Sequence, residues 1–468
     1  MSVTNASLRD RVLGSVFPEF TQKMCQKPCR LGADASLLLL MTWDLRAYRL
    51  VTASAYPGMM APLTEHPSCI CVLSGDADTA SAEGAARLSL EALDGVRRRW
   101  RFGDVSRLSE FVPTIIEHQP VDARPILLIP PRTSAKWEAA AAAWPGTVRI
   151  ATSTMPAVDR IAEDKIYVRD ALRQLDIPVP DSLVMLTTEL DFFEIREQLG
   201  APFVLQSPNG AGGQGTFLIS DHEELMMALA ETRHDGQWLV SRFAGNTTIN
   251  VAGVVHVDGV RLFPPSLQIS GVEELGSSFG AYCGSDFSRP DVDEAAIVAA
   301  HQHAAVIGEW LRQIGHRGIF GADVAVRDDK VAFLEVNPRI QGSSWLLSKL
   351  QCEVGVQPCL EEHVEAILGR PLGTELIGPE LVPAGSHLLM RWRDAEHVVS
   401  VPVVDLPGVT ARPAMGVVVH TGALTARIEA DYRLATSDGH ELTADTKRLV
   451  EAVRTSLGLA TPRVKSVI

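Results

Sequence analysis

Residues 321–339 read GADVAVRDDKVAFLEVNPR, two alternating, β-branched-rich runs separated by adjacent aspartates. Such a stretch has one good local solution, a pair of antiparallel strands joined by a tight turn. Glu335 and Asn337 are two apart and so share a face. If Arg327 pairs with Val331, Asp323 sits opposite Glu335, and Val324, Val326, Leu334 and Val336 fall on the other face. A slip of one residue would turn Asp323 to the face away from Glu335. The apolar pattern therefore favours one polar cluster of Asp323, Glu335 and Asn337. Two carboxylates and an amide oxygen are hard ligands, suited to Mg²⁺ shared with phosphate oxygens. The competing reading is a solvated strand face with unrelated charges.

A second segment, FVLQSPNGAGGQGTFLI at residues 203–219, places Gly210, Gly212, Gly213 and Gly215 between two apolar runs. A dinucleotide fingerprint would need a helix after the glycines, and here a strand pattern follows. No Gly-Lys-Ser/Thr follows, which excludes a P-loop. Strand, glycines and strand make a hairpin with a flexible tip, able to fold over a polyphosphate and offer it backbone N–H groups. A plain surface hairpin would need fewer glycines.

The chain has 468 residues, of which 46% are apolar and 21% charged, with a formal net charge of −14. That length suggests about three domains, with cores large enough to need no disulfides. The acidic balance argues against a general nucleic-acid or membrane surface. No apolar run approaches the ~18 residues that span a bilayer, and the first residues lack a signal-peptide core. The expectation is a soluble, cytoplasmic protein. Cys25/Cys29 and Cys69/Cys71 lack the two-residue gap of zinc or redox pairs, so the seven cysteines read as reduced and mostly buried.

Residues 1–154 alternate short apolar runs (35–43, 48–54, 68–74, 125–131, 147–153) with helical stretches at 80–101 and 134–144, which predicts an α/β domain with a parallel sheet. Residues 155–370 carry a helix near 163–175, the glycine hairpin, helices near 221–233 and 291–314, and the carboxylate hairpin. Residues 371–468 predict a small β-rich unit closed by a helix at 443–457. His301 and His303 face different sides of their helix and read as structural.

Four landmarks, in order, resemble the ATP-grasp superfamily of carboxylate-activating ligases: EDK at 163–165, the glycine hairpin, WLVSRFAG at 238–245, and FLEVNPRIQG at 333–342. The implied fold is α/β, an ATP-grasp fold preceded by a Rossmann-like α/β domain and followed by a small β-rich unit. The resemblance implies that Lys165 contacts ATP phosphates, with Gln206 and the four glycines beside them. The Ser241–Ala244 hinge, with Arg242, would read the adenine edge. Asp323, Glu335 and Asn337 would bind two Mg²⁺ ions, and Arg339 would hold the acyl carboxylate or the transferred phosphoryl group. The loop at 265–288 reads as the acceptor side, with Gln268, Tyr282 and Asp286 as substrate candidates. The family commonly has lysine where Gln206 stands, an acid where Ser241 stands, and a ribose-binding glutamate near Thr247 and Thr248.

The implied activity is ATP-dependent ligation of a small-molecule carboxylate to an amine such as an amino acid or peptide, through an acyl phosphate. The order of the parts resembles stand-alone peptide ligases of natural-product pathways, and a homodimer is compatible with it. The alternatives are carboxylate–thiol ligation, or a nucleotide-binding protein without ligase activity, which Gln206 favours.

Overall fold

The computed structural model describes residues 43–77, 85–118, 123–132, 134–152, 161–210, 212–232, 234–372, 382–399 and 406–456. Four of the five apolar runs expected in the first 154 residues are strands: Arg49–Ser54, Cys69–Ser74, Ile126–Ile129 and Val148–Ile150. The run at 35–43 lies, apart from Trp43, outside the described residues, as do Cys25 and Cys29. With Ala86–Ser89 the four strands form a five-stranded, all-parallel sheet. Its central strands, Arg49–Ser54, Cys69–Ser74 and Ile126–Ile129, are buried at nearly every position, as expected of a parallel sheet covered on both faces. Cys69 and Cys71 lie inside it, and burial pushes the Cys69 thiol up to about 11.

The helix expected at 80–101 is a correction. Among the described residues, 86–101 form strand Ala86–Ser89, the short helix Leu90–Asp94 and strand Val96–Arg97. Ser89 caps the helix, its hydroxyl accepting from the Ala92 N–H, and Gly95 stops it at φ +73°. Val96 and Arg97 then pair with Val418 and Val419 from the far end of the chain. Buried Arg97 donates to Glu91 at 2.7 Å and to the carbonyls of Ala77, Ala411 and Leu424. These distant partners override local helix propensity.

The glycine segment is a hairpin, Phe203–Gln206 against Thr216–Ile219, within a four-stranded sheet. The Gly318–Arg327 and Lys330–Asn337 strands lie at one edge of a nine-stranded sheet. Ser386–Arg391, Val409–Thr410 and Leu424–Ala430 extend that same sheet, so the β-rich end continues it. Helix Glu294–Gln313 covers one face, burying Ala296, Ala300, Ala304, Ile307 and Leu311 at helical spacing. Its His301 bonds the Phe263 carbonyl and His303 meets the Phe333 ring edge-on. No helix among the described residues is long and apolar enough to cross a membrane.

The register of the carboxylate hairpin differs at the turn and agrees at the site. Arg327 pairs with Lys330 rather than Val331, across a two-residue turn with Asp328 at φ +57°. A bulge at Leu334 then shifts the register, so that Asp323 faces Glu335 and Gly321 faces Asn337. The extra residue inverts the alternation. Phe333 joins Val324, Val326 and Val336 in the core, while Leu334, expected there, turns to the cavity described below.

Candidate active site

A cavity of about 970 Å³ opens where the glycine hairpin, the carboxylate hairpin, the N-terminal sheet and the end of the chain meet. Lys165, Gln206, Gly210, Gly212, Gly213, Ser241, Arg242, Ala244, Gln268, Tyr282, Asp323, Glu335, Asn337 and Arg339 all line it. Gly215 does not; its φ of +70° serves the turn of the hairpin, where a Cβ would meet the Ser207 side chain. Asp286 does not either. It points to the opposite face of its strand, buried and ion-paired with Arg433 at 3.1 Å, which argues against the substrate role expected of it.

Asp323 and Asn250 face each other across adjacent strands, and the Asn250 Nδ2 donates to Asp323 Oδ1 at 2.6 Å. The Asn337 Nδ2 donates to Asp323 Oδ2 at 3.3 Å and to Glu335 Oε1 at 3.1 Å. Its Oδ1 accepts from Arg339 Nη2 at 2.8 Å. The amide nitrogen thus sits between the carboxylates. Burial, then the nearby Glu335 charge, raises Asp323 well above the usual carboxylate range. Burial also works against ionised Glu335, but Lys165 and the hydrogen bonds from Asp323 and Asn337 hold it below that range. Two close buried acids of this kind titrate as a coupled pair.

Mg²⁺ is what the resemblance implies for this pair. No cluster of three or more His, Cys, Asp or Glu suited to a metal exists among the described residues. The donor set fits all the same, because Mg²⁺ is commonly held by one or two carboxylates with the rest of its shell from water and phosphate. Asn337, as placed, offers the pair its nitrogen and would join the shell only with its amide turned over.

Lys165 opens helix Lys165–Gln174, with Asp164 accepting from the N–H groups of Ile166 and Tyr167. Its Nζ donates to the Gly210 carbonyl at 3.0 Å and lies 3.4 Å from Glu335 Oε2. One ammonium so ties the glycine hairpin to the carboxylates. Arg339 is held by Glu163 at 3.2 Å and by Asn337, with its guanidinium over the Phe102 ring. Arg132 pairs with the same Glu163 and lies over the same ring. Gln206 reaches Thr216 Oγ1 at 3.4 Å.

At the hinge, buried Arg169 donates to Ser241 Oγ and to the Pro180 and Leu334 carbonyls, each at 3.2 Å. The Leu334 bond explains part of the bulge, whose freed carbonyl is satisfied by a charge. Burial lowers Arg169 to about 10.

Residues 162–343 match the model of the ATP-grasp domain. This segment is an ATP-grasp domain. The formate-dependent phosphoribosylglycinamide formyltransferase of Tolumonas auensis is 28% identical over 214 residues, 44% of this chain and 49% of that protein. The enzyme of the same name from Yersinia enterocolitica is 28% identical over 212 residues, with the same coverage. The chain thus spans about half the length of these curated relatives. Carboxyaminoimidazole ribonucleotide synthase from Aspergillus clavatus, solved with ATP, superposes with a TM-score of 0.54 at 17% identity, over 89% of this chain and 98% of that one. Biotin carboxylase from Campylobacter jejuni gives 0.54 at 12%, over 82% and 88%. At these identities the likeness is one of fold, and it extends beyond the ATP-grasp domain at both ends.

Sequence reasoning missed Asn250, Glu163, Arg169, Phe102 and Arg132. Asn250 is the polar break in the apolar strand run INVAGVV, a signal that could have been used. Phe102 and Arg132 lie more than 200 residues from Arg339 and carry no local signal.

Proposed function

We propose that the protein is an ATP-dependent carboxylate–amine ligase, forming an amide or peptide bond and releasing ADP and phosphate. One observation carries this reading: Lys165, the Asp323–Glu335 pair and Arg339 converge on a single cavity beneath a glycine-rich hairpin. The relative's name supports the acid half, since formate is a carboxylate.

The acid's carboxylate oxygen attacks the γ-phosphorus of ATP, and the bridging oxygen leaves with ADP. An amine then attacks the acyl carbon of the acyl phosphate, phosphate departs, and the ammonium proton is lost. Lys165 places positive charge between the hairpin and the carboxylates, where the phosphates would lie. Arg339 is planar, permanently charged and fixed by Glu163 and Asn337, so it can orient the attacking carboxylate without reorganising. Asp323 and Glu335 would hold Mg²⁺, which when bound neutralises charge on the β and γ oxygens. The glycine hairpin keeps water from the acyl phosphate.

A second reading, nucleotide binding without ligation, is favoured by Gln206 in place of a cation. Measuring ADP release across a matrix of acids and amines, with thiols as alternative acceptors, separates the readings. Ligation predicts release that needs an acid and product that needs an amine. ATP bound but never turned over, with any acid, would favour the binder, and product formed only with thiols would favour the other ligase.

A further inference from the structure

Among the described residues, nine cationic side chains line the cavity against five carboxylates, in a chain whose net charge is −14. Most of these cations have a partner already. Lys165 has Glu335, Arg132 and Arg339 share Glu163, Arg98 has Asp104, Arg242 has Asp181, and Arg169 is spent on carbonyls and a hydroxyl. Arg99, Arg101 and Arg391 stand apart: no carboxylate among the described residues pairs with them. Arg99 and Arg101 come from the RRRWR run at 97–101, and Arg391 ends strand Ser386–Arg391.

Arg99 and Arg391 come together from distant parts of the chain, and Arg101, two residues beyond Arg99, lines the same cavity. Arg391 Nη1 donates to the Gly422 carbonyl at 3.5 Å, and a Cβ at Gly422 would lie 3.5 Å from Arg99 Cβ. Arg99 Nη2 also donates to the Gly212 carbonyl at 3.1 Å, at the tip of the glycine hairpin. Like charges held together at a cavity wall repel, and burial with the charges of Arg391 and Arg101 lowers Arg99 to about 10. An uncompensated cluster of this kind costs stability unless a ligand neutralises it. The hydrogen-bond and ion partners of the Asp323–Glu335 pair are Asn250, Asn337 and Lys165, and Arg99, Arg101 and Arg391 are not among them. The cluster is therefore distinct from the carboxylate pair. Asp76 is the acid at this end, but its Oδ1 already accepts from Trp100 Nε1 at 2.7 Å and lies 3.7 Å from Arg97 Nε.

We propose that Arg99, Arg101 and Arg391 form a subsite for a multiply charged anionic group on one of the two substrates, a phosphate ester or a polycarboxylate. This rests on the ligase reading above and names the substrate class for it. Guanidinium groups bind both kinds of anion bidentately, so the shared chemistry is a dianion or higher.

The test is calorimetric titration of the full chain with inorganic phosphate, with citrate and with acetate. It is run with and without Mg²⁺ and a non-hydrolysable ATP analogue that fills the γ-phosphate position. Phosphate or citrate should bind to the nucleotide complex, and acetate should not. Arg99→Gln combined with Arg391→Gln should weaken that binding at least ~10-fold, as expected for lost charge-assisted hydrogen bonds, and leave the analogue's affinity within about twofold. Phosphate alone binding assigns a phosphoryl group, citrate alone a polycarboxylate, and both the shared chemistry. Exposed Arg101→Gln gives the same comparison should the double variant melt early. Binding of neither anion, or binding indifferent to the substitutions, overturns the proposal. So does an equal fall in nucleotide affinity, which would assign the arginines to ATP. Failure of the analogue to bind at all would count against the ligase reading, while the nucleotide-free titration still decides the subsite.

Discussion

Burial and the neighbouring Glu335 charge raise Asp323, while Lys165 holds Glu335 low, so the two acids have unequal parts. Glu335 stays about a quarter exposed toward the cavity, and its charge is the one best placed to act on a transferring phosphoryl group. Glu335→Gln should lower turnover at least ~10²-fold in a folded protein, with Asp323→Asn similar, because each takes a carboxylate ligand from the site that would hold the metal. Near-normal rates would refute that assignment. Gln206→Lys should preserve or tighten ATP binding and Gln206→Leu should weaken it by about 1–2 kcal/mol, one neutral hydrogen bond left unmade. Nucleotide titration of both variants checks this. Asp76 offers a pH test. Burial raises its carboxyl to about 7, despite opposition from Arg97 and the Trp100 hydrogen bond. The folded state then keeps a proton that the unfolded chain gives up near pH 4, so this residue's stability contribution falls as pH rises toward about 7. Asp76→Asn keeps an acceptor for Trp100 and removes the titration. Its melting temperature should therefore gain on the wild type between pH 5 and pH 8, and a constant difference would contradict the assignment.

Elements show what a sequence can and cannot convey. The facing of Asp323 and Glu335 was legible because apolar residues at Val324, Val326 and Val336 have only one buried face to occupy. The bulge at Leu334 was not, because Ala332, Phe333 and Leu334 are consecutive apolar residues and fit either face. Part of the explanation is Arg169, whose guanidinium reaches the Leu334 carbonyl from a helix 165 residues earlier. The glycine hairpin was legible from composition, but what its tip touches was not. A Cβ at Gly213 would lie 2.4 Å from the Gly280 carbonyl, at a φ of +81°. A Cβ at Gly212 would meet only the mobile end of Arg99, at 3.3 Å. Gly213→Ala should therefore lower turnover by about tenfold or more, since both strain and backbone contact oppose the tip's position. Gly212→Ala should be milder. Equal effects in steady-state assays would mean that the tip's contact with Gly280 is incidental.

The whole molecule assembles its cavity from regions that no local pattern links. Arg132 and Phe102 from the N-terminal third support Arg339, and Arg391 from the last strands of the large sheet lies with Arg99 against Gly422. A net acidic chain so presents a basic interior where anions would have to meet. The central claim is that this interior passes the γ-phosphoryl group of ATP to a carboxylate. It is tested most directly by supplying an accepted acid labelled with ¹⁸O in its carboxylate, together with ATP, Mg²⁺ and an amine, and weighing the phosphate released. Acyl-phosphate chemistry predicts that each inorganic phosphate formed with product carries one oxygen from the acid. Unlabelled phosphate, or label recovered in AMP, would contradict it.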